Sequence, residues 1–383
     1  MLVWYLSRHM RDLVVLFGGP SSERKVSVAS AQNVASVLEQ AEAWFWAPDG
    51  AIHRVERSAL LGHQRPFEVE FDPRIEPAWH SLQDALDDPR SQALTFVLAV
   101  HGTGGEDGAA QKLFEQRRIA FTGPGAEASA KAFDKEWAKQ LAAAAGVRVA
   151  EAIHLPRGDE ATVGSALLGF LARHGRIVAK PVAGGSSVGL QVIGNVGEAQ
   201  RAAAAIAAAA EEYLAEAFVS GTELTVGVVD DERGTRALPA SEVRVEQGRA
   251  FDYDGKYLGR GTREITPAEV PADVSTAAQR VAVAVHQALG CEGYSRTDVI
   301  CTPTGPVFLE INTLPGLTRM SFVPQQLAVE HTSMRDFLEG QIALARRRRD
   351  RKSAPQTAIA DADDVEESPR RKVVVRRSRK KRG

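Results

Sequence analysis

The sequence predicts an α/β protein of two or three domains, and three stretches carry that prediction. Residues 13–17 (Leu-Val-Val-Leu-Phe) are a continuous apolar run, the pattern of a strand buried in a parallel sheet. Gly18-Gly19-Pro20-Ser21-Ser22-Glu23 breaks the run, and a helical pattern follows over about 26–40. Strand, glycine turn and helix in that order open an α/β domain. Residues 95–100 repeat the buried-strand pattern and end at a second glycine-rich loop, His101-Gly-Thr-Gly-Gly-Glu-Asp-Gly108. Residues 291–321 read as two strands around a tight turn at Pro303-Thr304-Gly305. A chain of 383 residues can bury a substantial core over such elements.

In chain order, a helix over about 109–116 and a short strand at 119–121 follow the second loop, and the turn 122–125 closes a first domain spanning 11–125. Residues 126–145, rich in Ala and Lys, form a helix. Strand, Gly-rich loop and strand occupy 176–193, a helix 201–212 and a strand 213–219, which completes a second unit, 126–219. A third unit, 220–345, holds an alternating strand at 223–229 and a polar stretch at 246–265 without a clear period. A loop of that length is usually functional or mobile. A helix over 277–289, the 291–321 hairpin and a last helix over 333–344 complete the unit. From Arg346 onward fifteen Lys/Arg stand against six Asp/Glu, a net of +9, which leaves −11 on the body out of a total of −2. This tail, 346–383, has few large apolar residues and reads as disordered. Its basic charge suits anionic polymers such as nucleic acid, or simply a solvated charge run.

No apolar run approaches the roughly 20 residues needed to span a membrane. The N-terminal run is too short for a signal peptide, and Met10 is an alternative start to Met1. The two cysteines, Cys291 and Cys301, do not oppose one another in the hairpin, so no disulfide is expected and a cytoplasmic setting fits.

Side chains alternate along a strand, so Arg296 and Asp298 share one face, as do Glu310 and Asn312. If the hairpin folds symmetrically about Thr304, Asp298 lies opposite Glu310 and Arg296 opposite Asn312. Three oxygen ligands and a guanidinium then share one patch. Asp, Glu and Asn oxygens suit a hard cation such as Mg²⁺. Two facing carboxylates repel unless a cation sits between them. The alternative is an ordinary polar strand face.

Lys180 precedes Gly184-Gly185-Ser186-Ser187-Val188-Gly189, and a strand follows, which excludes a Walker loop. A Gly-rich flap whose amides approach phosphate, with Lys180 as a point charge, is one reading; a plain hairpin turn is the other. Lys131, Lys135 and Lys139 recur every four residues and share one face of a continuous helix, either a solvated surface stripe or one from which Lys135 turns inward. Glu23 follows a strand end, where open α/β sheets bind ligands, although a helix-start Glu has its own dipole rationale. The loop lacks the third glycine of a dinucleotide fingerprint, which excludes an NAD site. Gly316 and Ser321 offer an amide and a hydroxyl suited to a carboxylate or oxyanion, or form a simple exit loop. Taken together, these groups describe a carboxylate activated by ATP and captured by an amine.

The motifs Gly18-Gly-Pro-Ser-Ser-Glu23, His101 to Gly108, Gly185-Ser-Ser-Val-Gly189, Tyr253-Asp-Gly-Lys256-Tyr257, Arg296-Thr-Asp298 and Glu310-Ile-Asn-Thr-Leu-Pro-Gly-Leu-Thr, in this order over about 12–344, resemble the D-alanine–D-alanine ligase family. The resemblance implies a three-domain ATP-grasp fold, with an N-terminal parallel-sheet substrate domain and two ATP-grasp subdomains, the central one carrying the flap. It implies ATP and two Mg²⁺ (or Mn²⁺) ions, D-alanine as substrate, a role in peptidoglycan synthesis, and a homodimer. Lys135, Lys180, Ser187 and Lys256 would hold phosphates. Glu216, Ala217 and Val219 would face adenine and Glu223 the ribose. Asp298, Glu310 and Asn312 would bind the metals. Glu23 would meet the first D-alanine's amine, Ser321 the second one's carboxylate, and His101 would contact substrate. Arg296 and Gly316 would stabilise the tetrahedral intermediate, and Ser186 and Tyr257 would link to Glu23 as the loop closes.

Tyr257 also favours an amine over a hydroxyl nucleophile in that family. Phe251 and Gly255 depart from the family pattern and bear on loop closure. Rival acceptors are D-lactate and D-serine. A rival of another class is an anionic-polymer binder acting through its tail.

Overall fold

Gly18 ends the first strand because nothing larger fits. Its φ is +94°, and a Cβ there would lie 2.3 Å from the Trp46 carbonyl oxygen. That strand, β1 (Leu13–Gly18), is the centre of a five-stranded sheet with β2 (Glu42–Trp46), β3 (Ile52–Val55), β4 (Thr95–Leu98) and β5 (Ala120–Phe121), in the order β3-β2-β1-β4-β5. All pairs are parallel except β2 with β3. The β2–β3 hairpin at the edge was not legible as such in the sequence. The computed structural model describes residues 12–155, 157–185, 188–209, 211–245 and 262–353.

The helix Arg24–Val37 covers this sheet. Its buried Ser27 hydroxyl accepts from Gly18 N (2.7 Å) and donates to Ala99 O (2.6 Å). One side chain thus ties together the C-terminal ends of β1 and β4, where the two glycine-rich loops begin.

A second sheet holds β6 (Ala152–Leu155), β7 (Ile177–Pro181), β8 (Gln191–Ile193) and β9 (Tyr213–Ala217), antiparallel in the order β6-β9-β7-β8. With the helices Glu160–His174 and Val196–Ala209 it encloses its own apolar core. A third sheet holds β10 (Thr222–Asp231), β11 (Gly234–Ala237), β12 (Ser241–Val245), β13 (Thr262–Ile265), β14 (Tyr294–Thr302) and β15 (Gly305–Asn312). Its order is β13-β12-β10-β14-β15, with β11 on β10. The helix Ala272–Ala288 packs against it.

Two expectations are corrected. Residues 126–145 are two helices, Ala126–Phe133 and Lys135–Ala144, because the Asp134 carboxylate caps the second by accepting from Trp137 N (2.8 Å). The lysines therefore do not share a continuous stripe. Both helices also contribute to one core with β15 and the helix Ala272–Ala288.

The second correction concerns the basic tail. The last helix runs Met334–Ser353, past the expected end at 344 and into the stretch read as disordered from 346. Arg348 is buried and donates to the carbonyls of Phe121 and Gly123, both at 2.7 Å, with its guanidinium 4.2 Å from the Phe121 ring centroid. Arg346 donates to Thr95 Oγ1 at 3.0 Å. Charge composition cannot distinguish an arginine in water from one bonded to a sheet end. Residues 354–383 lie outside the described ones. Cys291 and Cys301 are buried free thiols, as the register predicted. No helix among the described residues is long and apolar enough to cross a membrane.

Candidate active site

The hairpin β14–β15 does bring Asp298 opposite Glu310 and Arg296 opposite Asn312, but by a different route from the symmetric one. Thr302 pairs with Gly305, so the turn is the two residues Pro303-Thr304. Continued regularly, that register would set Leu309 opposite Asp298. The register shifts between Asp298 and Val299, which pair with Glu310 and Phe308, so Leu309 is an extra residue. A β-bulge of this kind re-aims side chains. Here Leu309 and Glu310 both line the same cleft as Asp298.

Asp298 is buried, and its carboxylate accepts from Arg296 Nε (3.0 Å) and Nη2 (2.8 Å) in a two-bond fork. The Thr225 hydroxyl, directly opposite on β10, donates to it as well. With its amide oxygen turned inward, Asn312 accepts from Arg296 Nη2 at 2.5 Å. The oxygen-bearing face already gathers around a cationic group. Asp298, Glu310 and Asn312 supply the hard oxygen donors that Mg²⁺ takes, and they fit such an ion.

Above this face, a cleft of about 340 Å³ opens between the second and third sheets. Lys135, Lys180, Glu216, Ala217, Val219 and Glu223, all read as nucleotide-binding, line it together with Asp298 and Glu310. Lys135 begins its helix and reaches the Gly-rich loop, donating from Nζ to Gly184 O at 2.5 Å. Lys180 Nζ stands 3.0 Å from Glu216 Oε1, and Lys139 Nζ 3.1 Å from the same oxygen. Burial pushes the Glu216 carboxyl up, but the Lys180 and Lys139 ammoniums bring it below the usual carboxylate range. Burial pulls Lys139 down; Glu216 opposes that and Lys180 adds to it. Lys131 stays at the surface on Glu127 (2.6 Å).

Glu23 sits where the first domain meets the flap. A Cβ on Gly102, which has φ +68°, would lie 2.8 Å from Glu23 Oε2, and one on Gly185 would lie 3.2 Å from it. Glu23, Gly102 and Gly185 line a cavity of about 460 Å³. The two glycines let the carboxylate stand between the loops without crowding.

His101, expected to contact substrate, also braces a neighbouring loop. The ring is buried, with Nδ1 at 2.8 Å from Leu314 O and Nε2 at 3.0 Å from Ser30 Oγ. Leu314 O can only accept, so Nδ1 carries the proton and Nε2 accepts from the hydroxyl. Burial holds His101 below the usual imidazole range, consistent with the neutral ring. Ser30 Oγ in turn accepts from Leu317 N (3.2 Å), and Asn33 Nδ2 donates to Leu317 O (2.7 Å). Glu106 completes the grip, accepting from Gly102 N (2.8 Å) and Leu314 N (3.2 Å). These side chains position the segment that carries Gly316.

That segment borders a cavity of about 110 Å³, lined by Arg296, Gly316, Ser321, Phe322, Phe67 and Glu264, among others. Ser321 Oγ lies 2.8 Å from Thr318 Oγ1 and accepts from Thr318 N at 3.2 Å. A Cβ on Gly316 would come within 2.7 Å of Ser321 Oγ. Arg296 therefore stands at a junction, lining the small cavity while holding Asp298 in the large one.

Ser186, Ser187, Lys256 and Tyr257, with most of the 246–265 loop, lie outside the described residues. Sequence reasoning passed over Lys139, Glu106, Thr225 and Phe322 as site residues. Lys139 carried a weak signal as the third lysine of the stripe. Glu106 carried one in the Glu-Asp pair of its loop, which also reads as helix capping.

Residues 12–124 match the family described as D-ala D-ala ligase N-terminus, and residues 143–342 match D-ala D-ala ligase C-terminus. The chain is 32% identical to a D-alanine–D-alanine ligase of Leptospira interrogans over 359 residues, covering 88% of this chain and 99% of the relative. It is 36% identical over 331 residues to that of Methylobacterium radiotolerans, covering 84% and 93%. Among solved structures, the VanG D-Ala:D-Ser ligase from Enterococcus faecalis superposes with a TM-score of 0.72 at 27% identity, covering 87% of this chain and 98% of that one. The D-alanine–D-alanine ligase from Coxiella burnetii does so at 0.71 and 24%, covering 89% and 96%.

Proposed function

The chain belongs to the D-alanine–D-alanine ligase family, and from that premise we propose that it joins two D-alanines at the expense of ATP, for peptidoglycan synthesis. The observation that carries this reading is the junction at Arg296. A cleft of about 340 Å³, which would take the nucleotide, and a cavity of about 110 Å³, suited to a small amino acid, are linked through one guanidinium: Arg296 lines the cavity and holds Asp298, which lines the cleft.

The carboxylate of the first D-alanine, its amine held by Glu23, attacks the γ-phosphorus; the bond to ADP breaks and an acyl phosphate forms. The second D-alanine, its carboxylate at Ser321, attacks the acyl carbon through its neutral amine; the acyl C–O bond breaks, and phosphate leaves carrying the amine's proton as the peptide bond closes. Lys135 and Lys180 neutralise phosphate charge from two sides of the cleft. Asp298, Glu310 and Asn312 would hold Mg²⁺, which would supply the remaining positive charge for phosphoryl transfer. Arg296 and the Gly316 amide face the developing oxyanion, which is where preorganised donors act most strongly. Ser186, Ser187, Lys256 and Tyr257 join the site in this reading through their motif positions. The buried free thiols support a reducing, cytoplasmic setting.

The test is phosphate release from ATP with D-alanine, L-alanine or no amino acid. Release confined to D-alanine supports the reading; equal release in all three arms overturns it. A second reading, D-serine as acceptor, is favoured by the likeness to the D-Ala:D-Ser ligase. Product analysis with D-alanine and D-serine in competition separates the two.

A further inference from the structure

Two lysines share one carboxylate oxygen at the edge of the nucleotide cleft, and only one of them faces the cleft. Glu216 and Lys180 line it, whereas Lys139 is not among its lining residues. Lys139 approaches Glu216 from behind, on the helix Lys135–Ala144, with Nζ 3.1 Å from Oε1. All three side chains are close to fully buried, at 6% exposure for Lys139, 5% for Glu216 and 10% for Lys180. A buried carboxylate needs a cation beside it.

Lys180 has a second task in the proposed reaction, because a bound polyphosphate competes for its ammonium. Lys139 does not line the cleft and sits 3.1 Å from Glu216 Oε1, so in this proposal it stays with the carboxylate when nucleotide is present. An ionised carboxylate only accepts hydrogen bonds. At the base-facing strand end, Glu216 therefore matches a base with an amino donor at C6. It repels one with a carbonyl there, as guanine has.

We propose that Lys139 is a positioning residue for base recognition: it holds the Glu216 carboxylate where that group accepts from the 6-amino group of adenine. The inference rests on the reading of the cleft as a nucleotide site. Lys139 touches neither nucleotide nor substrate and acts only through Glu216. The depressed Glu216 carboxyl agrees with this arrangement.

The test is calorimetric binding of ADP, GDP and purine riboside 5′-diphosphate, which has hydrogen at C6, to the full chain and to Lys139→Met, Lys139→Gln, Lys139→Arg and Glu216→Gln, each checked for folding by its melting transition. The unsubstituted chain is expected to bind ADP about tenfold or more tightly than either analogue, as befits a hydrogen bond to a charged group. Lys139→Met and Lys139→Gln should bring the three affinities within about twofold to threefold of one another. Lys139→Arg should restore most of the preference, and the KM for D-alanine should not move. Equal weakening of all three ligands by Lys139→Met or Lys139→Gln, with Glu216→Gln alone erasing the preference, overturns the role of Lys139 and leaves the nucleotide site standing. An unsubstituted chain that binds ADP no better than the analogues, or does not bind it, overturns the base-site reading as well.

Discussion

Asp298 and Glu310 face each other across β14 and β15 because Leu309 is an extra residue in the second strand. The two-residue turn alone would have set Leu309 there and turned Glu310 to the opposite face. Since Asp298 is also gripped by Arg296 and Thr225, both the proposed metal face and the proposed oxyanion donor depend on this one register.

Asp298→Asn removes the charge that a divalent ion needs while keeping an oxygen for Arg296. Phosphate release in the presence of D-alanine is expected to fall by at least ~100-fold, with the protein still folded by circular dichroism. Near-normal turnover would falsify the metal assignment.

Phe322→Leu enlarges the small cavity beside Ser321 without emptying it. The ratio of D-2-aminobutyrate to D-alanine incorporated as the second residue should rise several-fold, since one methylene in an apolar pocket discriminates by about 10- to 200-fold. Mass analysis of dipeptides formed from an equimolar mixture reads this directly; an unchanged ratio places the acceptor's side chain elsewhere.

Glu106 is predicted to make stability depend on pH. Burial, with the Glu23 charge adding to it, pushes its carboxyl from 4.5 up to about 8 against the pull of two backbone amides and Arg296. The folded chain keeps that proton while the unfolded chain has already lost it. The group's contribution to stability is therefore full below about pH 4.5 and is lost as pH rises to about 8. The melting temperature of Glu106→Gln should fall less than that of the unsubstituted protein between pH 5 and pH 8. Parallel curves for the two proteins count against a buried neutral Glu106.

The C-terminal helix gives a contrast between two truncations. Ending the chain at Ser353 should leave stability and activity nearly unchanged, whereas ending it at Ala345 removes the Arg346 and Arg348 contacts to β4 and β5. Arg348→Ala alone is expected to cost about 2–3 kcal/mol, because two carbonyls lose their donor. Denaturant unfolding with activity in parallel distinguishes the cases; equal stability of both truncations would show that the helix end is only solvated charge.

How much of this was readable in the chain follows from where each partner lies in the sequence. β1 and its glycine turn, the helix Ala109–Gln116 and the β14–β15 hairpin are set by neighbours a few residues apart, and periodicity reveals them. The break at Asp134 was local too, but the helix propensity of the surrounding alanines masked it. Asp298 and Thr225 are 73 residues apart, and Glu106 and the Leu314 amide 208. No pattern in the chain announces such a pair.

The sequence by itself determined the order of the motifs and the types of group at the site: lysines suited to phosphate, oxygens suited to a cation, a carboxylate suited to an amine. Periodicity and side-chain chemistry are properties of short segments, so they survive without a fold. Only the tertiary structure decided that His101 braces the loop at Leu314, that Lys139 stands behind Glu216, and that Arg348 is bonded to a sheet end rather than to water. In each case the outcome depends on which distant backbone or charge a side chain meets once water is excluded, and packing alone sets that.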